Sequence, residues 1–567
     1  MTPRKDARTD QAVRHAGGSR GSRRRRGIAL GAAAALLLGA VPATAAAASQ
    51  HGRHGAVDAE DAALAFDADS STTITVTIDG EPVTVRWYQE VCYVADPVAV
   101  AGDSGCGYQS MNVYVPETAA ADSAPIYLAV HNGGWFASHV STPFDDGDVL
   151  DSTTDNVAAA LHAGMVVTDL GTRSRGLVAP DGTFPGKAPA VVVDQKAAVR
   201  YLRLNDDVMA GDAERIIANG TSGGGAAVVA LGASGNSKDY LPYLADVGAA
   251  GIDATGRSTI RDDIFAVNAY CPITDLGNAD IAYEWLYDVL DTRETVGQDP
   301  APEVSAELAA EYPSYLKSLG LRASDGSRLT AATMLDEIVH QVTVSAEFYM
   351  TSDPAHVIEG LDWIVVDNDA DVVESVDAEG YLEYVATERE LKPAPAFDQT
   401  GTDAPGAGGG PGTGESNLFG TADQEYSNFT AYSWNANNIA DDGIGLDDTG
   451  LTWKKLLRQR STVVDEQIEQ VDPLHYVDTG ADTAPYWYVR VGAKDRDTSF
   501  TVSLNLALAL EDDREVEDVD YRMAWDTGHA GNYDVPEAMA WILDSVEAAD
   551  SAGHGHGRGH GRGHGKH

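Results

Sequence analysis

Short apolar runs alternate with longer amphipathic or small-residue stretches through the first half of the chain. The apolar runs predict buried strands and the longer stretches predict helices. The strands expected here are residues 111–115, 126–130, 165–167, 216–218 and 264–270, and the helices are residues 157–162, 191–204 and 226–231. Because strands and helices follow one another in turn, we expect a mostly parallel sheet flanked by helices.

The same alternation returns near the C-terminus, and a different pattern precedes it near the N-terminus. The C-terminal strands are expected at residues 486–491 and 519–525, and the helices at residues 500–510 and 535–549. Residues 73–78 and 83–88 alternate apolar and polar positions around Asp79 and Gly80. This arrangement predicts a β-hairpin ahead of the parallel strands.

Between these two parts the strand–helix rhythm is lost. Helical patterns occur at residues 281–290 and 306–319, and residues 398–414 are rich in Gly and Pro, as in a flexible loop. We therefore predict a large inserted lid domain, residues 279–455, between two parts of one α/β core, residues 71–278 and 456–550.

The chain ends carry signals of their own. A basic cluster at residues 23–26, an apolar run at 28–41 and a possible Ala-x-Ala cleavage site at 43–45 predict a signal peptide over residues 1–48. A membrane anchor is the alternative. We expect secretion by the Sec or twin-arginine route, an acidic linker at residues 49–70, and a disordered His/Gly-rich tail at residues 551–567.

The net charge and the cysteine content limit the kinds of binding partner and cofactor that we expect. The formal net charge of −48 argues against nucleic acids and against anionic membrane surfaces as partners of the mature protein. No metal-ligand spacing occurs, and we predict neither a metal nor a cofactor. Of the three cysteines, Cys92 and Cys106 flank a short polar loop and are the expected disulfide, and Cys271 is an expected buried thiol. The sequence leaves the oligomeric state open.

The most informative stretch is a glycine-rich turn between the strand at 216–218 and the helix at 226–231. It reads Gly220-Thr221-Ser222-Gly223-Gly224, a match to G-x-S-x-G. Such a turn exposes the serine hydroxyl as a nucleophile and leaves the next N–H, that of Gly223, free to bind an oxyanion. The alternative is a plain glycine-rich start of a helix.

A serine nucleophile needs a base and an orienting acid, which follow in the order Ser, Asp, His in hydrolases of this topology. His529 lies in a glycine-flanked turn between the last predicted strand and helix. Asp495 follows the preceding strand and is the expected acid. Asp497 is a better candidate than Asp495 for the N-cap of the next helix. Alternatively, Asp497 faces the pocket. These positions predict the α/β-hydrolase fold.

The second oxyanion donor is expected from a turn after an earlier strand. Residues 131–135, His-Asn-Gly-Gly-Trp, follow the strand at 126–130. Gly134 or Trp135 would supply the N–H. A different motif, Gly-Asp-Ser-Gly at 102–105, imitates chymotrypsin-like proteases, but the strand–helix alternation contradicts their all-β fold.

With these residues in place, the chain resembles bacterial tannases of the subtype B kind. The shared segments are residues 220–224 (GTSGG), 270–276 (YCPITDL), 282–285 (AYEW), 419–420 with 426–429, 495–499 (DRDTS), and 528–529 with 534. The resemblance implies that Lys392, Glu415 and Asp497 bind the three galloyl hydroxyls. The chain departs from the pattern at Gly223, where alanine is expected, and at the Gly-rich run 401–414, which lengthens the Lys392–Glu415 spacing.

The resemblance implies a secreted serine esterase that hydrolyses galloyl esters of small phenolic substrates. Three alternatives stay open. An esterase for feruloyl or other phenolic acids would share Ser222, Asp495 and His529 without using the three galloyl-binding groups. A peptidase of the same fold would be separated by a screen of amide substrates. A catalytically silent binding protein would be separated by a serine-reactive phosphonate probe.

Overall fold

The computed structural model describes residues 61–253, 255–399, 414–437, 450–459 and 463–555, with the backbone alone for 552–555. The expected signal peptide, most of the linker, residues 400–413 of the Gly/Pro-rich loop and residues 556–567 of the tail lie outside these ranges. Within the described residues, no helix is long and apolar enough to cross a membrane.

A ten-stranded sheet forms the centre of the molecule, in the order β12-β11-β8-β7-β4-β6-β3-β2-β1-β5. The strands are β1 Thr72–Ile78, β2 Glu81–Cys92, β3 Ser110–Pro116, β4 Pro125–Val130, β5 Val149–Leu150, β6 Val166–Leu170, β7 Asp212–Thr221, β8 Ala266–Tyr270, β11 Tyr486–Gly492 and β12 Asp518–Ala524. The six strands from β12 to β6 in this order run parallel. The predicted hairpin, β1 with β2, joins the sheet beyond the antiparallel strand β3.

Helices cover both faces of this sheet. They are α1 Asn156–His162, α2 Ala190–Leu204, α3 Gly223–Ala233, α4 Leu241–Asp246, α14 Phe500–Asp512 and α15 Val535–Gly555. Apolar residues of α1 and α15 pack in one core cluster, and those of α2, α3 and α14 pack in another. Along β4, Tyr127 and Ala129 belong to the first cluster and Leu128 and Val130 to the second, as expected for a strand buried on both faces.

Strands β8 and β11 are neighbours in the sheet although 215 residues separate Tyr270 from Tyr486, so the intervening residues form an insertion. We call residues 271–485 the insertion. Its elements are α5 Leu276–Asp288, α6 Thr292–Val296, α7 Pro302–Ala309, α8 Tyr312–Leu319, α9 Met334–Ser352, β9 Ile364–Asp367, β10 Val372–Val376, α10 Ala378–Glu388, α11 Ala431–Asn437, α12 Trp453–Leu456 and α13 Val463–Glu469. Strands β9 and β10 form a separate antiparallel pair.

Three sequence expectations need correction. Residues 551–555, expected in the disordered tail, continue α15. The helical pattern at 306–319 is divided between α7 and α8. Pro313 lies in the first turn of α8, where its missing N–H costs no intrahelical hydrogen bond, whereas a continuous helix would need that bond. Residues 61–66 are part of the fold rather than linker. Leu64, in a short 3-10 helix at Asp61–Leu64, is 3% exposed, and the N–H of Phe66 donates to Asn205 at the end of α2.

The predicted disulfide and the predicted free thiol are both present. Cys92 at the end of β2 and Cys106 form a disulfide with a Cα–Cα distance of 5.7 Å. Cys271, directly after β8, is a buried free thiol. The disulfide therefore closes the polar loop next to the antiparallel end of the sheet.

Candidate active site

The serine turn joins β7 to α3 at the carboxyl edge of the parallel strands. Ser222 has φ 61° and ψ −123°, a left-handed conformation that is costly for a residue with a side chain. Its N–H donates to the Tyr270 carbonyl at 2.9 Å, which fixes the turn against β8. The strained serine is thus held with its side chain at the end of the sheet, as a nucleophile requires.

Glycine is needed around this serine because other backbone lies too close. A Cβ at Gly220 would lie 2.4 Å from the Gly224 carbonyl oxygen. A Cβ at Gly223 would lie 2.1 Å from the Trp135 nitrogen and 2.5 Å from the Asn132 carbonyl oxygen. The glycine at 223, where the resemblance leads to alanine, therefore lets the 131–135 turn pack directly against the start of α3.

Ser222, His529 and Asp495 form a continuous hydrogen-bonded chain. His529 Nε2 lies 2.8 Å from Ser222 Oγ, and His529 Nδ1 lies 2.8 Å from Asp495 Oδ2. The Asp495 side chain is fully buried and that of His529 is 17% exposed. This arrangement can deprotonate the serine through Nε2 while the aspartate holds the imidazole by Nδ1.

The acid of this chain is Asp495 rather than Asp497. Asp495 follows β11, and its Oδ1 accepts the Asp497 N–H at 2.8 Å while its Oδ2 binds the histidine. Asp497 does not cap the next helix, because Ser499 takes that place and accepts from the Thr501 N–H. The Asp497 carboxylate is left to face a cavity.

The ionisation of His529 is set by opposing effects. Burial lowers its pKa, but the hydrogen bond to Asp495 and the negative charges of Asp495 and Asp497 outweigh this and raise the pKa overall. The charge of Lys392 acts in the lowering direction. The histidine therefore responds both to its acid partner and to the groups that line the neighbouring cavity.

The backbone of the turn at 131–135 distinguishes Gly134 from Trp135. Gly134 has φ 57° and ψ 29°. The Trp135 N–H donates to the Asn132 carbonyl at 2.9 Å, and the Phe136 N–H donates to the Gly133 carbonyl at 3.1 Å. Among the described residues, the Gly134 N–H has no such partner. Of the two candidates from the sequence, Gly134 is therefore the one available to bind an oxyanion together with Gly223.

Trp135 has a structural task instead. It is completely buried, and its indole N–H donates to the Ile273 carbonyl at 3.0 Å. This contact joins the 131–135 turn to the segment that follows β8. Trp135 thereby fixes the turn without offering its own N–H to a ligand.

A cavity of about 710 Å³ is lined by Asp497, whose N–H donates to Asp495 of this hydrogen-bonded chain. Lys392, Glu415 and Asp497 all line it, the first two from the insertion and the third from the core. Glu415 reaches the cavity although residues 400–413, outside the described ranges, separate it from Lys392 along the chain. The structure thus brings the three residues implied by the resemblance to one space.

Charges of both signs line the cavity. Burial lowers the pKa of Lys392, and the charges of Glu415 and Asp497 oppose that shift. Its Nζ lies 4.0 Å from the centre of the Phe397 ring. Asp497 is paired with Arg389 at 2.7 Å and with Arg496 at 3.0 Å. The cavity can therefore both donate to and accept from a ring that carries several hydroxyl groups.

Comparison with known proteins identifies the family. A tannase from Fusobacterium nucleatum is 31% identical, and the match covers 85% of this chain and 99% of that protein, with a TM-score of 0.68. A tannase from Lactobacillus plantarum is 30% identical over 85% of this chain and 100% of its own length, with a TM-score of 0.68. The chain belongs to the bacterial tannase family.

Other comparisons agree with this assignment to the tannases. A tannin acyl hydrolase solved in complex with ethyl gallate is 31% identical, covers 85% of this chain and 98% of its own, and has a TM-score of 0.68. The BD-FAE family matches residues 111–284, which run from β3 through the serine turn into α5. A search of curated proteins gives no match. The predicted α/β-hydrolase fold is confirmed, and the protein is a carboxylic ester hydrolase.

Several cavity residues of this tannase-family chain were not found from the sequence. Arg175, Arg389 and Phe136 line the cavity, and Phe136 is 49% exposed. Arg175 and Phe136 each follow a parallel strand at its carboxyl end, β6 and β4 respectively. That position, where ligands bind in open α/β sheets, was the available signal. Arg389 gave none, because it lies in the irregular part of the insertion.

One cluster in the described residues has the composition of a metal site. Ligand atoms of Cys271, Asp495 and His529 lie within 4.8 Å of one another. Burial and the charge of Asp495 raise the Cys271 pKa, which keeps the thiol protonated, and Sγ lies 3.3 Å from the Ala530 carbonyl. The carboxylate and imidazole are already engaged with each other, so hydrogen bonding explains this cluster in a tannase without a metal.

Proposed function

We propose that this protein is a secreted serine esterase that hydrolyses galloyl esters and releases gallic acid through an acyl-enzyme on Ser222. The observation that carries the proposal is the Ser222–His529–Asp495 chain beside a cavity lined by Lys392, Glu415 and Asp497. The nucleophile and the polar groups for a hydroxylated ring are close enough for the charges of Lys392 and Asp497 to act on His529.

In the first half of the reaction, His529 Nε2 takes the proton of Ser222 Oγ as that oxygen attacks the ester carbonyl. The N–H groups of Gly223 and Gly134 donate to the negatively charged oxygen of the tetrahedral intermediate. The C–O bond to the alcohol then breaks, and His529 returns the proton to the leaving alcohol.

In the second half, a water molecule attacks the acyl-enzyme. His529 Nε2 takes a proton from the water, and the acyl carbon gains the oxygen while the bond to Ser222 breaks. Ser222 recovers its proton from His529 and gallic acid leaves. The Asp495 carboxylate stabilises the imidazolium formed in each half.

The polar groups that line the cavity favour a galloyl ring as the acyl group of the substrate. Phenolic hydroxyls donate to the carboxylates of Glu415 and Asp497, and a hydroxyl oxygen accepts from the Lys392 ammonium. A ring without these hydroxyls leaves Lys392 and Glu415 without those hydrogen bonds, which costs binding in the transition state. The ethyl gallate complex of a relative 31% identical to this chain supports the same class of ligand.

Secretion is a separate part of the proposal. It rests on the basic cluster, apolar run and Ala-x-Ala site within residues 1–48. N-terminal sequencing of protein recovered from culture medium tests it. A mature N-terminus near residue 46 is expected, and retention of the intact N-terminus in the cell membrane would contradict it.

The activity is tested by measuring gallate release from methyl gallate, with Ser222→Ala as the control. Methyl ferulate and a peptide amide are assayed in parallel. Rapid release of gallate, with slow cleavage of the other two substrates, is the expected result. Equal rates for methyl ferulate would support a general phenolic-acid esterase, and amide cleavage alone would support a peptidase.

A further inference from the structure

A buried arginine connects the ring-binding side of the cavity to the turn that carries the oxyanion donor. Arg175 follows β6, and its side chain is only 6% exposed. It lines the cavity together with Glu415. Its guanidinium contacts both the 131–136 segment and the 414–417 segment, which are otherwise far apart in the chain.

On one side, Arg175 holds the turn. Its Nε donates to the Gly134 carbonyl at 2.6 Å, and the guanidinium carbon lies 4.2 Å from the centre of the Phe136 ring. Backbone contacts reinforce this, because Phe136 pairs with Arg175 in a short parallel bridge and the Ala137 N–H donates to the Arg175 carbonyl. Arg175 therefore fixes the carbonyl side of Gly134 from outside the turn, directly next to the peptide that carries the Gly134 N–H.

On the other side, Arg175 holds the segment that carries Glu415. Its Nη1 donates to the Gly414 carbonyl and, at 3.2 Å, to Asn417 Oδ1. Its Nη2 lies 3.7 Å from Glu415 Oε1, an ion pair between two side chains that are each less than a tenth exposed. Burial lowers the Arg175 pKa and the Glu415 charge opposes this, so the carboxylate helps to keep the guanidinium charged.

We propose that Arg175 is a positioning residue that couples Glu415, at the ring-binding end, to the alignment of the Gly134 oxyanion donor. The proposal rests on the proposed function for the role of Glu415. The fork of the guanidinium is required, because its Nε reaches the turn while its two terminal nitrogens reach the insertion. A lysine ammonium, as a single point of charge, cannot make both sets of contacts.

The coupling predicts a particular split between kinetic constants. Misalignment of the oxyanion donor lowers kcat for every ester, because each forms the same oxyanion at Gly134. Loss of Glu415 orientation raises KM only for esters whose acyl ring carries hydroxyls. A purely structural arginine would lower thermal stability and leave the kcat of the folded, titratable enzyme unchanged.

The experiment compares the full-length wild type with Arg175→Lys on methyl gallate and on p-nitrophenyl acetate, whose acetyl group has no hydroxyl. Active sites are counted with a serine-reactive phosphonate. We expect kcat to fall about tenfold or more on both esters, less than the roughly hundredfold to thousandfold cost of deleting an oxyanion donor. KM should rise for methyl gallate alone.

Arg203→Lys is the matched control. Arg203 is also a buried arginine, 8% exposed, but it pairs with Asp263 and Glu214 away from the cavity. Both kcat values should stay within about twofold of wild type. An Arg175→Lys enzyme with unchanged kcat on p-nitrophenyl acetate would overturn the coupling and leave Arg175 a role in ring binding only.

A second variant keeps the test decisive if Arg175→Lys does not fold. Glu415→Gln removes the charge paired with Arg175 and touches no part of an acetyl group. We expect its kcat on p-nitrophenyl acetate to fall about threefold, and an unchanged value would overturn the coupling. A wild type that cleaves p-nitrophenyl acetate but not methyl gallate would refute the proposed function, and the acetate measurements would still decide the role of Arg175 at the turn.

Discussion

The serine turn and the ring-binding cavity lie side by side but are built in opposite ways. The turn is a continuous, neutral, glycine-rich stretch, and its geometry is imposed by backbone atoms that leave no space for a Cβ at Gly220 or Gly223. The cavity is lined by Phe136 and by charged and polar side chains from segments near residues 175, 298, 392, 415 and 497. Its geometry depends on ion pairs between the core and the insertion.

This difference separates two tasks of an esterase. Attack on a carbonyl is the same for every ester, and a rigid backbone turn serves it without regard to the acyl group. Selection of the acyl group requires charges that match its hydroxyls, and side chains on the insertion supply them, with Arg175 as the proposed link between the cavity and the turn. Changes in the turn should therefore affect all substrates, and changes in the cavity should affect galloyl esters most.

The largest effect is expected at the serine turn and its partners. Ser222→Ala and His529→Ala should each lower kcat about ten-thousandfold or more on every ester, because the nucleophile or its base is gone. Asp495→Asn should also be severe, since the amide favours the wrong histidine tautomer. Steady-state kinetics on methyl gallate and p-nitrophenyl acetate measure this.

Ser104→Ala is the control for these variants, because Ser104 lies in the exposed Gly-Asp-Ser-Gly loop. It should retain wild-type turnover. Near-normal kcat in Ser222→Ala, or a large loss in Ser104→Ala, would overturn the assignment of the nucleophile.

The next effect concerns the cavity. We expect kcat/KM for methyl gallate to exceed that for methyl ferulate by at least about a hundredfold, because ferulate has one hydroxyl and a methoxy group. Asp497→Ala and Lys392→Ala should narrow this gap mainly by slowing the galloyl reaction. Asp362→Ala, which removes an exposed aspartate of the insertion, should leave it unchanged. Equal rates for both esters in the wild type would remove the basis for a galloyl-specific cavity.

A methyl group added to the turn should have a smaller but general effect. Gly223→Ala places a Cβ where the Trp135 nitrogen lies within 2.1 Å, so the turn must move away from the oxyanion position. We expect kcat to fall about tenfold on both galloyl and acetyl esters. Gly133→Ala is the matched control, since a Cβ there meets nothing within 4 Å. A change in KM for galloyl esters alone would contradict the separation of tasks.

The charge of Asp497 should also affect the pKa of the catalytic base, His529. Asp497 is one of the groups that raise the His529 pKa, and the neutral imidazole is the active form. Removing the charge with Asp497→Asn should therefore move the acidic limb of kcat/KM to lower pH. The pH profile on p-nitrophenyl acetate measures this without involving ring hydroxyls, and a limb that stays in place would exclude the electrostatic link.

The smallest expected effect is a change of thermal stability with pH, caused by a buried carboxyl group. Asp280 on α5 accepts the N–H groups of Phe397 and Asp398, and burial together with the Asp398 charge raises the Asp280 pKa to about 8. A carboxyl with a raised folded-state pKa stabilises the fold while protonated, and this stability is lost as the pH rises through about 8. We expect Tm to fall by roughly 2–4 °C between about pH 6 and pH 9.

Asp280→Asn should reduce this pH dependence of Tm, whatever its effect on absolute stability, because the amide cannot ionise. Asp369→Asn, at an exposed position on the β9–β10 turn, should leave the dependence as it is in the wild type. Calorimetry at several pH values decides between them. Equal slopes for wild type and Asp280→Asn would mean that other groups carry the dependence.

Much of the core could be predicted because its signals are local. The apolar runs of β4, β7 and β8 and the small residues of α3 depend on neighbours a few positions away, and the serine turn is one continuous stretch. The order Ser222, Asp495, His529 then followed from where each residue stands relative to a strand end. The insertion was harder, because its helices and strands do not alternate regularly and its β9–β10 pair lies outside the central sheet.

By itself, the sequence predicted the sheet rhythm, the serine turn and the two residues, Asp495 and His529, that the structure joins to Ser222 by hydrogen bonds. The tertiary structure alone decided that Asp497 is paired with Arg389 and that Arg175 joins the turn to Glu415. The reason is distance along the chain. Arg175 and Gly414 are 239 residues apart, and His529 and Ser222 are 307 apart. Periodicity and turn chemistry act over a few residues, and only the path of the folded chain sets which distant charges meet.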